Sequence, residues 1–107
     1  MAHWIDVCAV YEVPEDRPLG RTVEGVSLVL VRRGEQIAAV ADRCPHFGFP
    51  LRHGTIRDDR LVCALHGWKF DVFGAPPPEL PPEARCEHFR VRVEATRVFV
   101  DLSPDIA

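Results

Sequence analysis

Two short motifs decide the fold of this chain: Cys44-Pro45-His46-Phe47-Gly48 and Cys63-Ala64-Leu65-His66-Gly67-Trp68, with sixteen residues between His46 and Cys63. The first motif has the form C-x-H and the second the form C-x-x-H. Two thiolates and two imidazoles in two short loops form a metal site. Such a set can hold one tetrahedral zinc ion. It can also hold a [2Fe–2S] cluster in which two histidines replace two cysteines on one iron.

The spacing inside each motif separates these two kinds of metal centre. Structural zinc sites favour pairs of like ligands, with two to four residues between cysteines and three to five between histidines. Each motif here instead mixes a cysteine with a histidine, and Trp68 follows the second motif directly. The pattern favours the iron–sulfur cluster, with a zinc-stabilised binding module as the alternative. The other three histidines, His3, His53 and His88, are expected at the surface rather than among the ligands.

The two motifs and their flanks resemble the Rieske family, which carries C-x-H, a spacer of about this length and C-x-x-H. Gly48 follows the first motif, and Leu51 and Gly54 stand where the family commonly has a leucine and a glycine. The segment Pro76-Pro77-Pro78 matches the proline loop that covers the cluster in that family. The resemblance extends over about residues 7–102, nearly the whole chain. One departure is that the segment after the second motif is one residue shorter than the common F-D-x-x-T-G.

The resemblance implies one [2Fe–2S] cluster with four protein ligands. Cys44 and Cys63 would hold the inner iron, and His46 and His66 would hold the outer iron at the surface, where an electron can leave. With neutral imidazoles, the charges of two ferric ions, two sulfides and two thiolates cancel. An added electron therefore meets less repulsion than in an all-cysteine cluster, which raises the potential.

Within the Rieske family the resemblance points to a low-potential type. High-potential members add a cysteine to each cluster loop and join the two by a disulfide, and the matching positions here are Phe49 and Leu65. Those members also place Ser and Tyr hydroxyls near the cluster, where this chain has Trp68 and Phe70. Hydrogen bonds to sulfur stabilise the reduced cluster. Their loss should lower the potential.

The composition predicts a small protein and gives no reason to expect a nucleic-acid or membrane partner. The chain has 13 basic and 16 acidic residues, a net charge of −3, which gives no reason to expect nucleic acid. No stretch approaches the 18 apolar residues of a membrane helix, and the N-terminus lacks a signal-peptide pattern. We therefore expect a single domain, residues 1–107, in the cytoplasm. In that reducing compartment Cys8 and Cys86 are expected to be free thiols with packing roles.

The hydrophobic patterns predict an all-β fold without sustained helical periodicity. The predicted strands span residues 5–10, 26–32, 36–41, 55–56, 61–62, 70–73, 89–94 and 98–100. Hairpin turns are predicted at 33–35 and 58–59, and a loop at 13–20. In the Rieske fold such strands make stacked antiparallel sheets, with the cluster loops in a small cluster-binding subdomain, here about residues 44–70.

The function implied by the resemblance is that of a Rieske-type ferredoxin. It would pass single electrons from a flavin-dependent reductase to a terminal oxygenase. An alternative is the small Rieske subunit of a nitrite-reductase-like or other multicomponent oxidoreductase. Oxygenase chemistry within this chain is not expected, because a mononuclear iron site needs two histidines and a carboxylate. The scattered His3, His53 and His88 lie on a β domain expected to have no substrate cavity, so no catalytic residue is predicted.

Overall fold

The computed structural model describes residues 2–44, 48–64, 67–73 and 86–103. The strands in these ranges are β1 (Trp4–Ala9), β2 (Leu19–Val23), β3 (Val26–Arg33), β4 (Gln36–Ala41), β5 (Thr55–Arg57), β6 (Arg60–Val62), β7 (Lys69–Asp71), β8 (His88–Glu94) and β9 (Arg97–Asp101). The helical segments in the same ranges are two 3-10 turns, Val10–Glu12 and Leu51–His53. The predicted all-β fold is confirmed. No helix in this part of the chain is long and apolar enough to cross a membrane.

The strands form two antiparallel sheets. The large sheet has the order β1-β9-β8-β4-β3-β2, and the small sheet has the order β5-β6-β7. Strands β4 and β8 are joined over a short stretch, where Ala39 pairs with Phe89 and Val40 with His88. The outermost strands β1 and β2 also approach each other, so the large sheet curls toward a barrel.

Strand β3 is buried on both of its faces. Val29 and Val31 belong to a core shared with the small sheet, and Leu28 and Leu30 belong to a second core inside the large sheet. Successive side chains of a strand point to opposite faces. Because both faces of β3 are covered, the strand is a continuous apolar run instead of an alternating one.

Strand β2 is the element that the sequence prediction missed. The loop predicted for residues 13–20 is wrong at its end, because β2 begins at Leu19 and pairs with β3. The connecting turn is Glu24-Gly25, with φ angles of 48° and 78°. Two central residues with positive φ are the mark of a type I′ hairpin turn. The strand was missed because nearby prolines, one of them Pro18 directly before it, favour a loop in this part of the sequence.

The second predicted hairpin is confirmed and ties the two sheets together. Asp58 and Asp59 have φ angles of 52° and 61° between β5 and β6. The guanidinium of Arg33, at the tip of β3, lies 3.8 Å from the Asp59 carboxylate. It also lies 4.4 Å from the centroid of the Phe73 ring. One side chain of the large sheet thus contacts two residues of the small-sheet region.

Asp101 is the buried charged residue in the described part of the chain, with 2% of its surface exposed. Its carboxylate accepts hydrogen bonds from the backbone N–H groups of His3 (2.8 Å) and Ser103 (2.9 Å). The Arg90 guanidinium lies 2.5 Å from its other oxygen. These partners, the His3 N–H first, hold the pKa of Asp101 well below its ordinary value. The carboxylate therefore ties both ends of the described chain together.

Candidate metal centre

The structure brings the two predicted cysteine ligands into one buried region. Cys44 follows β4 and Cys63 directly follows β6, and each has 1% of its surface exposed. Both belong to the core between the large and the small sheet, and neither is in a disulfide. The other two predicted ligands, His46 and His66, lie outside the described residues.

The two cysteine loops are closed in the same way. The backbone N–H of Cys44 donates to the carbonyl of Phe49 (2.8 Å), and that of Cys63 donates to the carbonyl of Trp68 (2.7 Å). In each loop an aromatic residue thus accepts a hydrogen bond from the cysteine five positions earlier. The residue directly before each aromatic residue is a glycine with a positive φ angle, 72° at Gly48 and 69° at Gly67. The left-handed conformation is the one that glycine adopts without steric cost.

These glycines are required for their backbone angle rather than for close packing. A Cβ at Gly67 would meet nothing within 4 Å, and one at Gly48 would come within 3.9 Å of the Arg43 side chain. The N–H of Gly48 donates to the carbonyl of Cys44 (2.6 Å), not to a sulfur. The shared signature Cys-x-x-x-Gly-aromatic therefore encodes one turn used twice. The histidine falls at the second position after Cys44 and the third after Cys63.

Leu51 and Gly54 anchor the end of the first loop. Leu51 is fully buried, in the same core as Leu61 and Phe70. The N–H of Gly54 donates to the Leu51 carbonyl (2.9 Å), and a Cβ on Gly54 would collide with the carbonyl of Val62. The leucine is thus needed for burial, and the glycine for the close crossing of β6.

A third buried cysteine lies in this core. Cys86 is 7% exposed, and burial raises the pKa of its thiol to about 12, with the charges of Cys44 and Cys63 adding to the shift. All three sulfurs therefore share one neighbourhood. In the described ranges, however, no group of three His, Cys, Asp or Glu side chains is placed to hold a metal. Two buried thiols in matching loops fit a group held by two cysteines and completed by ligands from elsewhere.

Three described aromatic residues lie in or against the core that contains the two cysteines. Phe70 is 3% exposed, and Phe49 and Trp68 are partly buried against the same core. None of these three side chains offers an aliphatic or phenolic hydroxyl. Phe47, Leu65 and the proline run 76–78, all predicted near the cluster, lie outside the described residues.

The three remaining histidines lie apart from one another. His3 is exposed and lies 2.8 Å from a carboxylate oxygen of Glu24. His53 is exposed, with its ring edge-on to that of Phe49 at 6.4 Å between centroids. His88, which was expected at the surface, is half-buried in β8, and burial lowers its pKa.

The expectation of a domain without a substrate cavity stays a prediction. An open groove of about 1060 Å³ lies along β4 and β8, and its described lining includes Ile37, Cys86, His88 and Val91. His88 is the one histidine in that lining. Two histidines and a carboxylate, which a mononuclear iron site requires, are not assembled there by the described residues.

Comparison with known proteins identifies relatives of two lengths. The family model described as the Rieske [2Fe-2S] domain matches residues 3–90. The ferredoxin component of the naphthalene 1,2-dioxygenase system of Pseudomonas aeruginosa is 35% identical over 100 residues, covering 94% of this chain and 96% of the relative. The chloroplastic protein TIC 55 of Arabidopsis thaliana is 40% identical over 85 residues, but the match spans 16% of its length.

Solved structures give the same division. The ferredoxin of carbazole 1,9a-dioxygenase from Nocardioides aromaticivorans IC177 matches with a TM-score of 0.78 and 25% identity, over 91% of this chain and 95% of that one. NdmA from Pseudomonas putida CBB5 matches with a TM-score of 0.78 and 28% identity, over 94% of this chain and 34% of that one. The chain thus spans nearly all of the ferredoxins but about a third or less of the larger proteins.

Proposed function

Since the chain belongs to the Rieske [2Fe–2S] family, we propose that it is a ferredoxin that carries single electrons from a flavin-dependent reductase to a terminal oxygenase. The observation that carries this proposal is the pair of buried cysteines in two identically closed loops. The match to a dioxygenase ferredoxin over nearly its whole length supports an oxygenase as the acceptor. A flavin reductase is the proposed donor, because a flavin can divide an electron pair into single electrons for such a carrier.

The cofactor is one Rieske-type [2Fe–2S] cluster. When bound, the cluster takes up one electron and gives it back. We assign Cys44 and Cys63 as the ligands of the inner iron and His46 and His66 as those of the outer iron. The burial of both cysteines supports the inner assignment, and the family pattern supports the outer one.

The chain's own residues fix the cysteines and exclude water. The backbone N–H of each cysteine is bonded within its loop, and this bond holds the backbone that carries the thiolate. The apolar core around them limits solvent access, a factor that tunes the potential of a metal site. Trp68 and Phe70 bring no hydroxyl to stabilise the reduced form, which supports a low potential.

The small-subunit alternative is not favoured, because the relatives matched over nearly their whole length are ferredoxin components. The single domain spanning residues 1–107 and the cytoplasmic location stay predictions.

The ligand assignment is tested by the visible spectrum of cysteine variants. Protein purified without oxygen should contain two irons and two acid-labile sulfides, and dithionite should bleach its colour. Cys44→Ala or Cys63→Ala should abolish this spectrum. Cys8→Ala is the matched control, since Cys8 is a buried free cysteine in the other core. Stoichiometric zinc without iron in the wild type, or a normal spectrum in either ligand variant, would overturn the assignment.

The carrier function is tested by stopped-flow oxidation of the reduced protein by its acceptor oxygenase. Ala64 is exposed directly beside Cys63, so Ala64→Glu places a charge at the proposed electron exit. Val93 in β8 is 38% exposed and lies in the large sheet, so Val93→Glu is the matched control. Transfer should slow only in the Ala64 variant, with an unchanged spectrum. Equal rates in both variants would place the docking surface elsewhere.

A further inference from the structure

An ion pair closes the base of the first ligand loop, between a buried Asp42 carboxylate and an Arg52 side chain that is 35% exposed. The Asp42 side chain, two residues before Cys44, is 4% exposed. Its carboxylate accepts a hydrogen bond from the backbone N–H of Arg52 (2.9 Å) and is ion-paired with the Arg52 guanidinium. The chain therefore enters and leaves this loop at one point, held by a backbone contact and a side-chain contact to the same carboxylate.

Gly20 of β2 forms the other side of this contact. A Cβ on Gly20 would lie 2.6 Å from Nε, 2.8 Å from Cζ and 3.0 Å from Cβ of Arg52. Gly20 is not among the glycines with positive φ, so its own backbone does not require glycine. A Cβ at this position would instead require the Arg52 side chain to shift. The guanidinium thus lies between the Asp42 carboxylate and the bare backbone of a strand in the large sheet.

The second ligand loop has no equivalent among the described residues. The nearest comparable pair, Arg60 with Asp71, is exposed at 50% and 62% and joins β6 to β7 within the small sheet. Exposed pairs of this kind contribute little, whereas removing one partner of a buried pair leaves a charge uncompensated. Of these two ion pairs, the one at the first loop therefore has the more buried carboxylate, and its arginine also lies against a strand of the large sheet.

We propose that Arg52 is a positioning residue for the cluster: packed against Gly20 of β2 and paired with Asp42, it holds the two ends of the first ligand loop together beside Cys44. This inference rests on the proposed function, because it assigns a role toward the cluster. A substitution at Gly20, in a strand that carries no ligand, would then change how firmly the protein holds its iron.

The test is a double-mutant cycle on the holoprotein, using the single variants Gly20→Ala and Arg52→Ala and their combination. The measured quantity is the rate at which an iron chelator removes the visible absorbance. Each single variant should release the cluster about tenfold faster, a factor that corresponds to about 1.4 kcal/mol. The double variant should come close to Arg52→Ala, because Arg52→Ala removes Nε and Cζ, the two atoms that the new Cβ at Gly20 would approach most closely.

Two further variants separate positioning from general loss of stability. Asp42→Asn keeps the acceptor for the Arg52 N–H but removes the ion pair, so its release rate should lie between the wild type and Arg52→Ala. Arg60→Ala is the control and should leave the rate unchanged. The midpoint potential and the electron paramagnetic resonance spectrum of the reduced protein should shift in the Gly20, Asp42 and Arg52 variants, and not in the Arg60 variant.

Several outcomes would overturn the inference. Independent, multiplying effects of Gly20→Ala and Arg52→Ala would show that the two residues do not act together. Unchanged release rates in Gly20→Ala and Asp42→Asn would show that the clamp does not hold the cluster, even if Arg52→Ala fails to fold. In both cases a wild type with a normal iron–sulfur spectrum leaves the proposed function standing. A wild type without a cluster overturns both proposals.

Discussion

Truncation of Leu51 to alanine should loosen the first ligand loop more than the sheet that carries it. The side chain is fully buried in the core between the two sheets. Removing three carbons forfeits about 2.4 kcal/mol of transfer free energy at about 0.8 kcal/mol per methylene. The cavity that remains adds to this, and Leu→Ala substitutions in cores cost about 2–5 kcal/mol in total. We expect a loss of about 3 kcal/mol, a large share of the stability of a domain, which is about 5–15 kcal/mol.

The assay is thermal unfolding followed by two probes, visible absorbance for the cluster and far-ultraviolet circular dichroism for the sheets. The Tm of a domain of this size falls by about 4–8 °C for each kcal/mol of lost stability. We therefore expect the Tm of Leu51→Ala to fall by about 12 °C or more. Leu28→Ala is the matched control, because Leu28 is equally buried but belongs to the core inside the large sheet. In Leu51→Ala the absorbance should be lost before the dichroism. In Leu28→Ala the two should move together.

The reasoning is refuted if the two variants behave alike. A common transition in both would mean that the loop and the large sheet unfold as one unit, so that Leu51 does not anchor the loop separately. A loss below about 1 kcal/mol in Leu51→Ala would mean that the neighbours close the cavity, against the close packing seen in protein cores.

Three further predictions concern the potential and the pH dependence of stability. Trp68→Ser and Phe70→Tyr should each raise the midpoint potential in a spectroelectrochemical titration, provided that the new hydroxyl reaches the cluster; a wild-type midpoint near the top of the range of roughly −150 to +300 mV would contradict the low-potential assignment. The Asp101 carboxyl has a lowered pKa when folded, so its stabilisation is complete above the unfolded value of 3.8 and is lost as the pH falls toward the folded value. Asp101→Asn should remove this acid limb from a plot of urea midpoint against pH, and an unchanged limb would show that other carboxylates produce it. Burial lowers the pKa of His88 below 6.5, so the unfolded chain takes up its proton first and stability should fall as the pH drops through 6.5. His88→Gln should flatten that slope, and the same slope in the variant would assign it to another group.

The features that the sequence predicted are those encoded by neighbouring residues. Strand β4 was predicted with the bounds that the structure gives, because an apolar segment lies between a glycine turn and the first motif. The Asp58-Asp59 hairpin was predicted because adjacent aspartates tolerate positive φ. The repeated signature Cys-x-x-x-Gly-aromatic also stands in the sequence, and comparing the two loops position by position would have predicted their common closure.

The features that the sequence did not predict depend on contacts between distant segments. The sequence predicts Gly20 at the end of a loop, whereas it lies inside β2. There it leaves room for Arg52, 32 positions further along the chain. Arg52 lies ten positions from Asp42, with the two proposed ligands Cys44 and His46 between them. No local periodicity links these three residues, because each is required by its contact with the side chain or backbone of another. Their contacts become visible only in the packed arrangement of the two sheets.

The two ligand loops belong to different parts of the fold, and this determines what controls the cluster. The loop of Cys44 leaves the large sheet after β4 and enters the small sheet at β5, whereas the loop of Cys63 joins β6 to β7 within the small sheet. A cluster held by both loops therefore spans the junction of the two sheets. Any change in the relative position of the sheets changes the distance between its ligands. On the proposed ligand assignment, contacts such as those of Arg33 and Arg52 would therefore set the geometry of the iron site without contacting the iron.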